Sequence, residues 1–150
     1  MPVDCINQAM VTYHVPIAVI LSVMKKEKGR NSQAVRNKNG TLDYGVMQVN
    51  NIWLPKIGAY GHTKEDLQYN ACKNVLVGSW ILSQSIAEGK TIGSGIGNYY
   101  SHIPTHNRRY REDIYNNYKK ISFALHTAFN LQRLLVAIDT WLAQTRESRF

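Results

Sequence analysis

Two carboxylates, Glu27 and Asp43, stand sixteen residues apart in surroundings of opposite character. Glu27 falls three residues after Met24 and seven after Ile20, so on a helix it extends an apolar stripe that also holds Ile17 and Leu21. Burial at the end of such a stripe raises a carboxyl pKa and favours the protonated form. Asp43 belongs to a polar stretch with Asn37, Asn39, Thr41 and Tyr44, which can solvate a charge. A protonated carboxyl facing a charged one across a cleft is the pair that cleaves glycosidic bonds. Spacing alone does not separate this reading from a solvated glutamate at a helix end.

Both residues need elements to hold them. Asp4 caps a first helix to about Tyr13, and Pro16 opens a second that Gly29 ends after Glu27. The Asn39-Gly40 pair predicts a two-residue hairpin between strands near Ala34–Val35 and Thr41–Tyr44. Val46–Asn51 leads into an apolar segment with Trp53 and Leu54, broken by Pro55 and by Gly58 and Gly61. Thr63 and Asp66 form a capping-box pattern ahead of a helix from Leu67 to about Ala87, with a break near Asn70. Gly89, Gly93, Gly95 and Gly97 read as a loop into a helix around Ile96–Ser101, which Pro104 breaks. They do not fit a phosphate-binding loop. A further helix covers Asn107 to Lys120.

From Ile121 to Leu142 a helical pattern carries Leu125, Ala128, Leu131, Leu135, Ile138 and Leu142. Arg133 and Asp139 interrupt it, so no transmembrane segment is expected here. Packing on the core, pairing with a partner helix and lying on a surface all remain open. The expected organisation is one domain over residues 1–120 and a helical extension over 121–150.

A chain of 150 residues with 44% hydrophobic and 19% charged residues describes one globular domain. The formal net charge of +8 points to an anionic partner, and bacterial envelopes qualify as well as nucleic acid. No nucleic-acid recognition motif is present, so none is expected as a partner. The uncharged stretch 5–24 contains Asn7, Gln8, Thr12, His14 and Pro16 and follows Asp4, which fits neither a membrane span nor a signal peptide. Cys5 and Cys72 are too few for a zinc site and fit either buried thiols or one disulfide. His102 and His106 flank Pro104 and need not share a helix face, so no metal and no cofactor is expected.

The string Asn37-Lys-Asn-Gly-Thr-Leu-Asp43-Tyr-Gly-Val-Met47-Gln48-Val-Asn50 resembles the signature of the lysozyme superfamily. It is similar both to hen-type lysozymes and to bacterial lytic transglycosylases of the soluble-transglycosylase type. In that family a helix-ending Glu precedes the string by a similar interval, which singles out Glu27. Gly97-Asn98-Tyr99-Tyr100-Ser101 resembles the family's tyrosine motif, and Tyr110 and Tyr118 fall where the next helix carries aromatics. The match covers about residues 4–120 and is nearest to small transglycosylases of type IV secretion and conjugation systems. Two departures concern substrate detail: Lys28 stands where Ser usually follows the catalytic Glu, and Tyr99-Tyr100 replaces Tyr-Asn or Tyr-His.

The resemblance implies an α+β, mainly helical lysozyme-like fold with a small β-hairpin lobe. It implies cleavage of the MurNAc–GlcNAc β-1,4 bond of peptidoglycan, with Glu27 and Asp43 as catalytic residues. Gln48, Met47, Asn50, Tyr99 and Tyr100 would bind substrate. Cys5 and Cys72 would pair as a disulfide. Peptidoglycan strands and secretion-system components would be the partners, in the periplasm or cell envelope, with the export signal absent from this sequence. Two other readings stand beside lytic transglycosylation: hydrolysis by Glu27 and Asp43, and a non-catalytic glycan-binding scaffold subunit.

Overall fold

The computed structural model describes residues 3–147, with side chains described to residue 140. Helices α1 (Val3–Tyr13) and α2 (Ile17–Glu27) lead into three short strands, β1 (Ala34–Arg36), β2 (Leu42–Tyr44) and β3 (Val49–Asn50). A 3-10 turn over Asn51–Trp53 and helices α3 (Leu54–Gly58), α4 (Lys64–Tyr69), α5 (Ala71–Glu88), α6 (Ile92–Asn98) and α7 (Pro104–Glu147) complete it. This is the mainly helical, lysozyme-like fold that the sequence implies. Helix α5 runs through the centre against α1, α4 and α6, while α2 lies along α7. Ile6, Ala9, Ile20, Val23, Val75, Leu82, Tyr110 and Ile114 meet in one buried core.

The expected stripe of α2 forms, with Ala18, Ile20 and Val23 buried. Its left-handed C-cap is Lys28, at φ 54°, and not Gly29. Gly29 is needed for space: a Cβ there would meet the Gly45 carbonyl at 2.1 Å. The α2 terminus therefore packs backbone to backbone on the β lobe.

That lobe is an antiparallel sheet of order β1-β2-β3. The expected two-strand ribbon gains β3 because the chain turns back at Gly45, at φ +67°, and Gln48, at φ 50°, and lays Val49 against Tyr44. The hairpin loop is longer than the two residues expected. The Asn37 N–H donates to the Thr41 carbonyl at 2.8 Å and the Gly40 N–H to Asn37 at 3.0 Å, with Gly40 at φ +86°. A tight turn followed by a left-handed glycine is a three-residue hairpin. Asp43 sits on the middle strand, opposite Val35 on one side and Asn50 on the other.

The Thr63–Asp66 capping box is present, and Asn70 both ends α4 and caps α5 through Lys73 N–H at 3.0 Å. Pro55 does not break the chain but occupies the first turn of α3, where its missing N–H is harmless. The glycine-rich segment departs further from expectation. Helix α6 spans Ile92–Asn98, begun by a Thr91–Ser94 capping box. Its glycines let helices touch, since a Cβ on Gly95 would lie 2.5 Å from Ile86 Cα and one on Gly97 2.3 Å from the Asn107 amide.

Pro104 starts α7 and does not merely end α6; α7 then runs 44 residues without the boundary expected near Lys120. Its first half packs on the body through Asn107, Tyr110 and Ile114. Its second half is exposed, so packing of Leu125, Leu131, Leu135 and Ile138 on the core does not occur. Leu142 lies outside the described side chains. By length and composition alone, α7 is long and apolar enough to cross a membrane, despite Arg133 and Asp139.

Cys5 and Cys72 form a disulfide with a Cα–Cα distance of 5.4 Å, joining α1 to α5 across 67 residues of sequence. A loop of that length restricts the unfolded chain by about 4 kcal/mol in the chain-entropy description. The Cys5→Ala, Cys72→Ala double variant is expected to melt about 10 °C below the native protein, measured by calorimetry without reductant.

Candidate active site

Glu27 is the last residue of α2 and is half-buried at the floor of a cleft of about 580 Å³ between the β lobe and the helical body. Asp43, Gln48, Asn50, Tyr99 and Trp53 share that cleft. Burial pushes the Glu27 carboxyl up to about 7; the Asp43 charge raises it further, and a hydrogen bond from Tyr110 and the Lys26 ammonium oppose the rise. Tyr110 Oη donates to Glu27 Oε1 at 2.5 Å. Its ring is buried between the core and Tyr100, stacked with Tyr100 at a centroid distance of 5.0 Å and an interplanar angle of 1°. Burial, first, and then the Glu27 charge hold the Tyr110 phenol far above its ordinary value, so it is a donor throughout the working range.

Asp43 has different company. Asn37 Nδ2 donates to its Oδ2 at 2.8 Å and Asn50 Nδ2 to its Oδ1 at 2.6 Å, and both amides also reach the Thr41 hydroxyl at 3.0 Å. Both carboxyl oxygens thus act as acceptors, fixed in orientation by two strands. An apolar, phenol-capped carboxyl and a carboxyl set among amides line one cleft, in the contrasting surroundings that the sequence implies.

Gln48 Nε2 donates to the Gly45 carbonyl at 2.8 Å, which holds the turn and leaves the amide edge along the cleft. Asn50 both orients Asp43 and caps the 3-10 turn through Ile52 N–H at 3.0 Å. Tyr99 lies between core and cleft, and its hydroxyl donates to the Met47 carbonyl at 2.8 Å. Burial and then the Glu27 and Asp43 charges keep its phenol well above the ordinary value. Tyr100 is exposed on the rim beside His106.

Met47 is the exception among the expected substrate-binding residues. Its side chain is fully buried against Gly78, where a Cβ would come within 2.7 Å of its sulfur. It contributes a backbone carbonyl to Tyr99 and no surface to the cleft. Two residues that matter had no role assigned from sequence. Tyr110 lies 83 positions from Glu27, and only the aromatic pattern of the following helix pointed to it. Trp53 forms a cleft wall, set edge-on to Trp80 at 5.9 Å with the Lys56 ammonium 5.5 Å from its ring centre. Among the described residues no group of His, Cys, Asp and Glu is arranged to hold a metal ion.

A carboxyl with a pKa near 7, a second carboxyl and a polar wall of amides thus share one open cleft in a lysozyme-like fold. The sequence matches the family described as Transglycosylase SLT domain over residues 4–125, and the chain belongs to that family, whose activity is of the lytic transglycosylase kind. It is 28% identical to Protein IpgF of Shigella flexneri over 79% of this chain and 82% of that one. It is 24% identical to Invasion protein IagB of Salmonella typhi over 91% and 88% of the two chains. It is 25% identical to a peptidoglycan-binding-like protein of Escherichia coli O157:H7 over 84% and 78%.

The raised Glu27 pKa has a consequence for stability. The folded protein holds this proton more tightly than the unfolded chain does, so stability is greatest below the ordinary carboxylate range and declines as pH rises towards 7. Glu27→Gln removes that loss, and denaturation at pH 8 is expected to show a gain of up to about 3 kcal/mol that vanishes near pH 4. Tyr110→Phe removes a hydrogen bond that favours the charged form. The alkaline limb of its pH–rate profile, where Glu27 loses the acid proton, is expected to move to higher pH.

Proposed function

We propose that this protein is a peptidoglycan lytic transglycosylase that cleaves the MurNAc–GlcNAc β-1,4 bond and leaves 1,6-anhydro-MurNAc ends. The observation that carries the proposal is Glu27: half-buried, raised to about 7, held by Tyr110 and open to a cleft with Asp43. In its acid form Glu27 gives its proton to the bridging oxygen. The C1–O bond breaks, the electron pair stays on the departing GlcNAc oxygen, and an oxocarbenium-like centre develops at C1 of MurNAc. The MurNAc 6-hydroxyl then bonds to C1 and returns its proton to the Glu27 carboxylate, which restores the starting state. A pKa near neutrality suits one group to both steps. Because the nucleophile belongs to the bound sugar, its local concentration is already high.

Asp43, fixed by Asn37 and Asn50, would stabilise the positive charge at C1. Gln48, Asn50, Tyr99 and Tyr100 would contact the glycan through amide edges and aromatic faces. Hydrolysis is the second reading, favoured by the same Asp43: a carboxylate so held can support attack by water. The disulfide suits an oxidising compartment such as the periplasm. Local opening of the wall for a secretion or conjugation apparatus is the proposed use, in keeping with a relative named as an invasion protein.

Digestion of purified sacculi followed by mass spectrometry tests the reaction. Anhydro-muropeptides are expected from the native protein. Reducing-end products alone would replace this mechanism with hydrolysis. Glu27→Gln is expected to lose at least about a thousandfold in rate and Asp43→Asn about ten- to a hundredfold. Near-native turnover by Glu27→Gln would end the proposal.

A further inference from the structure

The distal half of α7 leaves the body and exposes a long apolar surface. The most apolar stretch of this helix is long enough to cross a membrane, and none of it is buried. Core helices this apolar are covered, but here Phe123 is 75% exposed, Phe129 59% and Val136 60%. Six of its polar residues are aligned. Lys119, Ser122, His126, Asn130, Arg133 and Thr140 follow one another at steps of three, four or seven, so they share one narrow helical face. Phe123, Leu125, Leu131, Leu134, Leu135 and Ile138 spread over the remaining circumference, which Lys120, Gln132 and Asp139 interrupt. Thr127 lies within the apolar arc, and its hydroxyl is satisfied internally by the Phe123 carbonyl at 2.9 Å.

We infer that this segment is a membrane-docking helix that lies in the interface of an anionic bilayer, with its polar stripe towards the headgroups. Three observations select the bilayer over a protein partner. One neighbouring helix covers a stripe of about 100° to 140°, and an apolar arc this broad would stay largely exposed in a two-helix pairing. A bilayer interface covers such an arc along its whole length. Lys119 and Lys120 stand where the exposed segment begins and Arg133 lies on the stripe, in a chain of net charge +8, so the charge complements acidic headgroups. The apolar surface also continues onto the body, where Ile92 and Tyr115 are 70% and 61% exposed beside a groove that Tyr118 and Ile96 complete. Tyrosines at the margin of such a footprint suit the headgroup level. Lying in the interface fits better than spanning, because Asn130, Gln132 and Arg133 fall near the middle of the segment, where hydrocarbon penalises them most.

The test is co-sedimentation of the full chain with vesicles of phosphatidylethanolamine and phosphatidylglycerol, against vesicles of phosphatidylcholine alone. Binding to the anionic vesicles is expected, weaker to the neutral ones, with release by alkaline carbonate. The Leu131→Asp, Leu135→Asp variant alters exposed positions remote from the cleft. It is expected to lose at least about tenfold in vesicle affinity while it cleaves soluble glycan fragments at the native rate. Retention through carbonate extraction would overturn the lying orientation in favour of a span. A stable dimer in solution with no vesicle binding, or vesicle binding unchanged in the variant, would overturn the inference. These outcomes do not depend on whether the cleft acts as lyase or hydrolase.

Discussion

The side chain of Asn74, fully buried on α5, makes three hydrogen bonds to the backbone of other segments. Its Oδ1 accepts from Met47 N–H at 2.9 Å, and its Nδ2 donates to the carbonyls of Tyr44 at 2.8 Å and Leu67 at 2.9 Å. Those backbone groups belong to the end of β2, the turn that follows it and α4, and without Asn74 they would lose these partners. Each orphaned group would cost about 1–3 kcal/mol, so the amide fixes the turn more firmly than any apolar contact of its size could. The turn in turn sets Asp43 at one end and Gln48 at the other. Gly45 completes the arrangement, since a Cβ there would stand 2.4 Å from the Asn74 amide nitrogen. The cleft wall is thus hung on a helix that contributes no catalytic group.

The opposite wall is built by burial. Holding Glu27 where water is scarce opposes folding at neutral pH, and the surroundings offset only part of that opposition. Tyr110 and Lys26 favour the charged form while burial and Asp43 disfavour it, and the balance leaves the group titrating near 7. A stronger set of partners would yield a more stable protein with a permanently ionised carboxylate, unable to donate a proton. A drier site would leave a permanently protonated acid, unable to take one back. The intermediate value is the one that serves both halves of an acid–base cycle.

What the sequence discloses follows from how local each cause is. The α2 stripe ending in Glu27, the Thr63–Asp66 cap and the turn chemistry around Gly40 depend on neighbours within a few positions, and each can be read from spacing. The pairing of Asp43 with Asn37 and Asn50 is nearly as local, and the motif carries it. The partners that complete the site are distant. Tyr110 reaches Glu27 across 83 positions and Asn74 reaches Met47 across 27; the aromatic pattern hints at the first without giving its partner, and nothing near Asn74 marks it as different from other core residues. Met47 misleads for a related reason: it stands between motif residues that face the cleft, but the turn seats its side chain in the space left by Gly78. Gly95 and Gly97 mislead because their helical cost is local while the packing that requires them, against Ile86 and Asn107, is not.

Helix α7 connects these two scales. Its first half supplies Tyr110 to Glu27, an Asp113 carboxylate to the Lys26 ammonium and an Asn117 amide to the Ser22 carbonyl, all on α2. The C-terminal half of α2, which ends in Glu27, is therefore clamped by α7, and the α7 backbone continues unbroken into the exposed segment. A helix transmits orientation well because bending it means breaking backbone hydrogen bonds that neighbouring turns share. Whatever surface the distal segment settles on, the direction of α7 fixes the attitude of α2, and with it the direction in which the cleft opens. For the proposed substrate, a fixed network and not a diffusing molecule, that orientation decides which strands can enter the cleft.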